Sequence, residues 1–285
     1  MNITSIYKLF EGMGLRGEMR YENIKKVMNR KLIFITGAPR SGTSLITKVI
    51  DAHPRTGILM ESIFGNRRRH GSRSEHWGSK KIMKRKAASI FRKVDEQIVG
   101  NKVCTPDVWS AEDIYNFCEL FREYKIVFVF RKPTSVVISR YKRTNYNKEY
   151  KEKAKKDLML NFKSPFHAYS SSWRQSIGEY YKLKDRLGDI VSTIYYDDFT
   201  KNPKSGMKDL FKKISVKFDK NVENWNKKKH YDRNGELKKD LKYEDRKIKH
   251  VVREPKEIKA REREHFQDAI QKIEPHVRIF EERLL

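Results

Sequence analysis

Short apolar runs rich in β-branched and aromatic residues alternate along this chain with stretches whose apolar positions recur at helical spacing. Leu32 to Ile35, the run leading into Lys102, Tyr124 to Phe130 and Asp189 to Tyr196 have the length and composition of buried strands. Between and beyond them, Ser41 to Asp51, Lys81 to Val94, Ser110 to Phe121, the segment opening at Pro133, Phe166 to Leu187 and Met207 to Phe218 predict helices. Ser110 is placed to cap its helix, with Glu112 and Asp113 in the first turn, where negative charge suits the dipole. Strand and helix in alternation imply an α/β fold, a mainly parallel central sheet flanked by helices with ligand loops at the strand C-terminal ends.

One such domain is expected over residues 31–218. Residues 1–30 read as an amphipathic, basic arm with apolar positions at Ile6, Leu9, Phe10, Met13 and Leu15, able to pack on the domain or to lie on an anionic membrane surface. Residues 219–285 read as a charged extension packed on the core and ending in a long helix from Pro255. The stripe of that helix is Ile258, Phe266, Ile270, Ile273 and Phe280, and Pro275 can kink or divide it.

The 285 residues include 64 Lys and Arg against 37 Asp and Glu, a net charge of +27. That field draws anionic ligands, acidic polymers and anionic surfaces alike. With neither zinc-finger spacing nor the aromatic signature of RNA-recognition domains, no specific nucleic acid is expected as partner. Cys104 and Cys118 are the only cysteines, which implies no disulfide framework. No window approaches the roughly eighteen to twenty apolar residues of a membrane span, and the N-terminus lacks the apolar core of a signal peptide, so a cytoplasmic location is expected.

The candidate chemistry centres on Leu32 to Pro54, LIFITGAPRSGTSLITKVIDAHP. A strand runs into a turn at Gly37 and Pro39, then into a helix whose first-turn amides stand beside the hydroxyls of Ser41, Thr43 and Ser44. Gly42 lets backbone approach a ligand closely, and Arg40 adds a planar fork of donors. This is an anion site. The nucleotide triphosphatase pattern G-x-x-x-x-G-K-[ST] requires lysine where this chain has Thr43. The loop therefore suits one phosphate with another anion beyond it, not a triphosphate with magnesium. It resembles the loop of sulfotransferases that use 3′-phosphoadenosine 5′-phosphosulfate (PAPS), in which R-S-G-T-[ST]-L after the first strand binds the 5′-phosphosulfate.

Downstream, Arg131 stands at a strand tip, Pro133 opens a helix, and Ser139 and Arg143 share one face of it. Together they can grip one terminal phosphate. The segment is similar to the 3′-phosphate site of the same family, R-[DN]-P-x-x-x-x-x-S, with an arginine four further on in some members; Lys132 replaces the usual acidic residue or asparagine. Tyr195 to Pro203 resembles the family's Y-E-D-L-x-x-x-P segment, which puts Tyr196 against the nucleotide base. The resemblance implies a three-layer, P-loop sulfotransferase-like sandwich, PAPS as co-substrate, and no metal.

Glu61 lies in the apolar run from Gly57 to Phe64. A partly desolvated carboxylate beside an anion site acquires a pKa useful to a general base. Glu61 also falls on the catalytic second glutamate of the G-E-E-T-R segment of protein-tyrosine sulfotransferases, although Ile63 replaces the arginine. Lys102, just past a short strand, is placed to neutralise charge on the bridging oxygen as sulfuryl leaves phosphate, with help from Arg40. Asn101, Lys102 and Pro106 loosely match the family's K-x-x-P segments. Cys104 stands where enzymes acting on phenols and steroids have a histidine base, which returns that role to Glu61.

Other readings stay open at this level. His53 is expected to cap a helix end, Trp173 either packs in the core or walls the adenine, and the basic run from Asn66 to Lys80 with Trp77 can close over an acceptor. The stretch Lys227 to Lys239 around Gly235 is the candidate closure over the nucleotide. The function expected is sulfuryl transfer from PAPS to a hydroxyl of a carbohydrate, glycan or glycolipid, with a peptide tyrosine as runner-up acceptor. A P-loop nucleotide kinase and a basic nucleic-acid-binding protein are the alternatives of other classes.

Overall fold

A computed structural model of the protein describes residues 21–60, 80–106, 109–146, 162–232, 236–239, 247–251 and 253–282. Strands β1 (Lys31–Thr36), β2 (Thr56–Met60), β3 (Ile98–Lys102), β4 (Glu123–Phe130) and β5 (Val191–Tyr195) form a five-stranded sheet in the order β2-β3-β1-β4-β5. Every pairing is parallel. Residues 21–28 are helical ahead of β1, and the helices that follow it among the described residues are α1 (Thr43–Asp51), α2 (Lys80–Phe91), α3 (Ala111–Cys118), α4 (Pro133–Tyr146), α5 (Pro165–Leu187), α6 (Tyr196–Lys201), α7 (Pro203–Lys213), α8 (Arg263–Gln271) and α9 (Glu274–Glu282). No helix among the described residues is long and apolar enough to cross a membrane.

The strands are continuous apolar runs because helices cover both faces of the sheet. Leu32 and Phe34 face one layer with Phe128, Phe130, Phe91 of α2, Phe117 of α3 and Trp173 of α5. Ile33 and Ile35 face the other, with Val127, Val129, Ile46 and Val49 of α1, and Leu210 and Phe211 of α7. Ser110 caps α3 as its sequence predicts: its hydroxyl accepts the Asp113 amide while the Asp113 carboxylate accepts the Ser110 amide at 2.8 Å.

Starting from β1, the chain builds out to β2 and β3 on one side, then crosses to β4 and β5 on the other. The strand order therefore reverses between β1 and β4. In open α/β sheets, ligands bind in the crevice beyond the strand C-termini at such a point.

Helix α1 is anchored at the end away from that crevice. Asp51 accepts the Ile58 amide at 2.6 Å and meets His230 Nδ1 at 2.9 Å, while His230 Nε2 donates to the Trp225 carbonyl at 2.8 Å. That carbonyl only accepts, so Nε2 is the donor in this bond. Burial pushes the Asp51 pKa up, and the hydrogen bond from His230 opposes it. His53 does not cap its own helix as expected. Its Nδ1 accepts the Arg55 amide and its Nε2 donates to the Lys217 carbonyl, each at 3.1 Å. Burial lowers its pKa, which favours this neutral form.

The C-terminal part departs from expectation in two respects. Lys229–Tyr231 and Leu237–Lys239 pair as an antiparallel hairpin, β6 and β7. His230 ties the first strand of this hairpin to the far end of α1, so the described part of the stretch Lys227 to Lys239 does not lie over the strand tips; Gly235 and its neighbours 233 and 234 fall outside the described residues. The long helix expected from Pro255 is instead two short 3-10 turns, Pro255–Glu257 and Ala260–Glu262, followed by α8 and α9. Its apolar stripe serves two targets that one straight helix cannot reach. Ile258 and Phe266 pack with Val137, Ile138 and Tyr141 of α4, whereas Phe280 stacks on Phe130 with ring centroids 4.3 Å apart.

Polar contacts fasten this segment across α4. Tyr141 donates to Glu262 at 2.5 Å, His167 Nε2 meets Asp268 at 2.9 Å, and Glu257 pairs with Lys142 and, at 3.0 Å, with Arg253. Burial raises the Glu257 pKa, but hydrogen bonds from Lys142, the Glu254 amide and Arg253 outweigh it and bring the carboxyl down to about 2. A depressed carboxyl pKa stabilises the fold above the ordinary value and loses that contribution as pH falls through the folded one. Glu257→Gln is expected to flatten the fall in thermal midpoint between pH 4.5 and about 2, measured by circular dichroism melts across that range.

Candidate active site

The loop after β1 lies across the tip of β4. At Gly37, with φ 148°, a side chain would meet the Val129 carbonyl at 2.4 Å, so only glycine lets the turn approach β4 this closely. Arg40 adopts a left-handed backbone, φ 76°, a strained conformation that a non-glycine residue keeps at a cost of order 1 kcal/mol. Gly42, φ 104°, occupies the N-cap of α1 and gives no side chain to its first-turn amides. Its missing Cβ has a further reason: that position lies 2.0 Å from the Tyr196 ring. Tyr196 therefore packs directly on the loop.

From Tyr196 the site continues to Arg131, whose guanidinium carbon stands 4.5 Å from the ring centroid. Arg131 is buried at the tip of β4. It donates to the Val251 carbonyl at 3.0 Å, and Trp173 Nε1 donates to the Arg131 carbonyl at 3.0 Å. Trp173 thus braces the strand tip from within the core. Burial lowers the Arg131 pKa, while Tyr196 and Asp197 oppose that shift, and a guanidinium stays charged throughout. The Asp197 carboxylate lies 3.6 Å from Arg131 Nε, an ion pair beyond hydrogen-bond contact. On α4, Ser139 is buried and Arg143 is exposed.

One bond joins the two clusters: Arg40 Nε donates to Ser139 Oγ at 3.2 Å, across 99 residues of sequence. Folding therefore brings the loop and the strand-tip cluster onto one edge with Tyr196 between them. Two buried donors in this set, Ser41 Oγ and Arg131 Nε, have no hydrogen-bond partner. Such groups are costly unless a ligand or water completes them. A phosphate at each pole fits both deficits, and the cationic character of the set suits a doubly anionic nucleotide.

Lys102 is buried at the end of β3, in register with Ile35 of β1 and Met60 of β2, on the α1 side of the sheet. Cys104 stands next to the loop, its sulfur 4.0 Å from Thr43 Oγ1. Ser44 is half-buried in the first turn of α1. Glu61 lies outside the described residues, as do Trp77 and Arg67; β2 ends at Met60.

Sequence reasoning missed residues 247–251. Val251 holds Arg131, His250 Nδ1 is 3.1 Å from Thr200 Oγ1, and Ile248 packs against the core cluster on the α1 side of the sheet. The signal was the basic run Arg246 to Arg253, which closes ahead of Pro255.

A parallel five-stranded sheet flanked by helices, with a glycine-bearing loop and a buried arginine at its reversal point, defines an α/β protein with a crevice at the switch point. Residues 33–220 match the model of the Sulfotransferase family, and the chain belongs to that family. It is a PAPS-dependent sulfotransferase, and enzymes of this kind bind PAPS and a hydroxyl-bearing acceptor. Among solved structures it is similar to the sulfotransferase domain from the curacin biosynthetic pathway, with 18% identity over 69% of this chain and 77% of that one and a TM-score of 0.48. It is also similar to the sulfotransferase domain from the Synechococcus PCC 7002 olefin synthase, with 18% identity over 69% and 77% and a TM-score of 0.45. The sulfotransferase from Alicyclobacillus acidocaldarius gives 16% identity over 67% and 87%, with a TM-score of 0.47. No curated protein sequence matches the chain.

Two substitutions test the site. Arg40→Gly relieves the left-handed strain and is expected to raise unfolding stability by about 1 kcal/mol in urea titrations, while weakening adenosine 3′,5′-bisphosphate binding tenfold or more. Arg131→Ala is expected to abolish that binding in calorimetry.

Proposed function

We propose that the enzyme moves the sulfuryl group of PAPS to a hydroxyl of a carbohydrate acceptor. The observation that carries the nucleotide part of this reading is the Arg40–Ser139 bond, which unites the two anion-gripping clusters on one edge. The loop amides with Ser41, Gly42, Thr43 and Ser44 would hold the 5′-phosphosulfate. Arg131, Ser139 and Arg143 would hold the 3′-phosphate, and Tyr196 would lie against the base.

In this reading PAPS supplies the sulfuryl group and leaves as adenosine 3′,5′-bisphosphate. The bond between sulfur and the 5′-phosphate oxygen breaks as the acceptor oxygen bonds to sulfur in line. Glu61 takes the acceptor's proton, and Lys102 and Arg40 stabilise the charge that develops on the bridging oxygen. A carbohydrate is favoured over a tyrosine peptide because the R-S-G-T type of loop is widespread among glycan sulfotransferases. Ile63 also replaces the arginine of the tyrosine enzymes.

Transfer from radiolabelled PAPS is expected to label glycans in preference to tyrosine peptides, and label confined to peptides would overturn the carbohydrate reading. Glu61→Gln is expected to lower kcat by about two to four orders of magnitude, with adenosine 3′,5′-bisphosphate affinity unchanged.

A further inference from the structure

Among the described residues, the outward face of α2 carries cations with no carboxylate beside them. Several other surface helices pair some of their cations: Lys182 with Glu179, Arg186 with Glu112, Lys213 with Asp209, Lys272 with Asp268 and Arg278 with Glu274. Helix α2, KKIMKRKAASIF, contains no acidic residue. Lys80, Lys81, Arg85 and Lys86, with Arg92 just beyond its end, are exposed, and among the described residues no carboxylate pairs with any of them. Lys80 with Lys84 and Lys81 with Arg85 are like charges four apart, an arrangement that weakens a helix. Packing holds the helix in place despite that repulsion. Met83, Ala87, Ala88, Ile90 and Phe91 are sunk in the core beside Phe34 and Phe117.

The position of this uncompensated face is informative. The last turn of α2 stands at the edge where β1 begins, its Phe91 carbonyl accepting from Arg30 Nη1 at 3.3 Å, and the helix leads away from that edge. Lys81, Arg85 and Arg92 recur at helical spacing along its outward side, with Ile82, 43% exposed, and Ser89 beside them. The cations form a stripe one helix wide along the length of α2. That shape suits a linear chain of negative charges. A membrane would be met by a plane of cations or by an apolar face, and the apolar face of α2 is committed to the core.

We propose that the α2 face is a docking track for a polyanionic polysaccharide, one bearing carboxylate or sulfate groups, and that it holds such an acceptor while one of its hydroxyls is presented to the sulfuryl donor. The inference deepens the carbohydrate reading and rests on it. Docking releases counterions, so affinity falls steeply with salt.

The test uses the full chain and measures binding to alginate, to dextran sulfate, to neutral dextran and to vesicles of phosphatidylglycerol in phosphatidylcholine. Three proteins are compared: the native chain, the triple variant Lys81→Gln, Arg85→Gln, Arg92→Gln, and a charge-matched control on α7, Lys204→Gln, Lys208→Gln, Lys212→Gln. The α2 variant is expected to bind both polyanions at least tenfold more weakly and with a shallower salt dependence. The α7 control should stay within about twofold of the native chain, and neutral dextran should bind none of them. Adenosine 3′,5′-bisphosphate affinity should be equal in all three, which shows that each is folded with an intact nucleotide site. Equal polyanion affinity in native and α2-variant proteins, an equal loss in the α7 control, or a loss seen only with the vesicles would each overturn the proposal. Failure of the carbohydrate reading has a separate signature, α2-dependent polyanion binding with no label transferred to any glycan.

Discussion

The close approach of Gly37 to the Val129 carbonyl is the constraint on which the site depends. Parallel pairing sets Thr36 opposite Phe128, so β4 runs on for two residues after β1 has ended. A side chain at Gly37 would collide with that extension, and the loop would be pushed away from the tip of β4. With glycine there, the loop folds over the tip, Arg40 reaches Ser139, and Gly42 fits under the Tyr196 ring. The anion site is therefore an outcome of strand register as much as of its own residues.

Much of the frame is legible in the sequence because both faces of the sheet are covered. Tyr124 to Phe130 is a nearly unbroken apolar run, and burial on both faces is the physical reason. Ser110 with Asp113 and the Gly37 to Ser44 loop are equally readable, since caps and tight turns are local chemistry. Long-range partnerships are not. His53 looks like a helix-end cap, yet it bonds to Lys217, and the basic stretch around Gly235 looks like a lid, yet His230 ties its first strand to Asp51. In each case a bond between residues far apart in sequence overrides the local signal. The C-terminal stripe misled for a related reason: its period fits one helix, but its residues pack into two separate clusters.

Of the candidate site, the meeting of the two clusters was implied by the family resemblance, but the bonds that make it were not readable. Sequence gives an arginine and hydroxyls in two places; only the folded chain brings Arg40 to Ser139 and Tyr196 to Arg131. Burying Arg131 withdraws a charge from water, and such charges persist only where partners compensate them. The Tyr196 ring, the Asp197 carboxylate 3.6 Å from Nε and the Val251 carbonyl supply part of that compensation, while Nε itself makes no hydrogen bond.

The bond from Arg131 to Val251 spans 120 residues. Contacts of such high sequence separation carry a large loop-closure entropy and form late in folding. During synthesis, the sheet and its anion loop can assemble while the roof over Arg131 is still within the ribosome. The surroundings of Arg131 are then completed only after Val251 has been added, and the last helices fill the core as well, Phe280 of α9 stacking on Phe130 of β4.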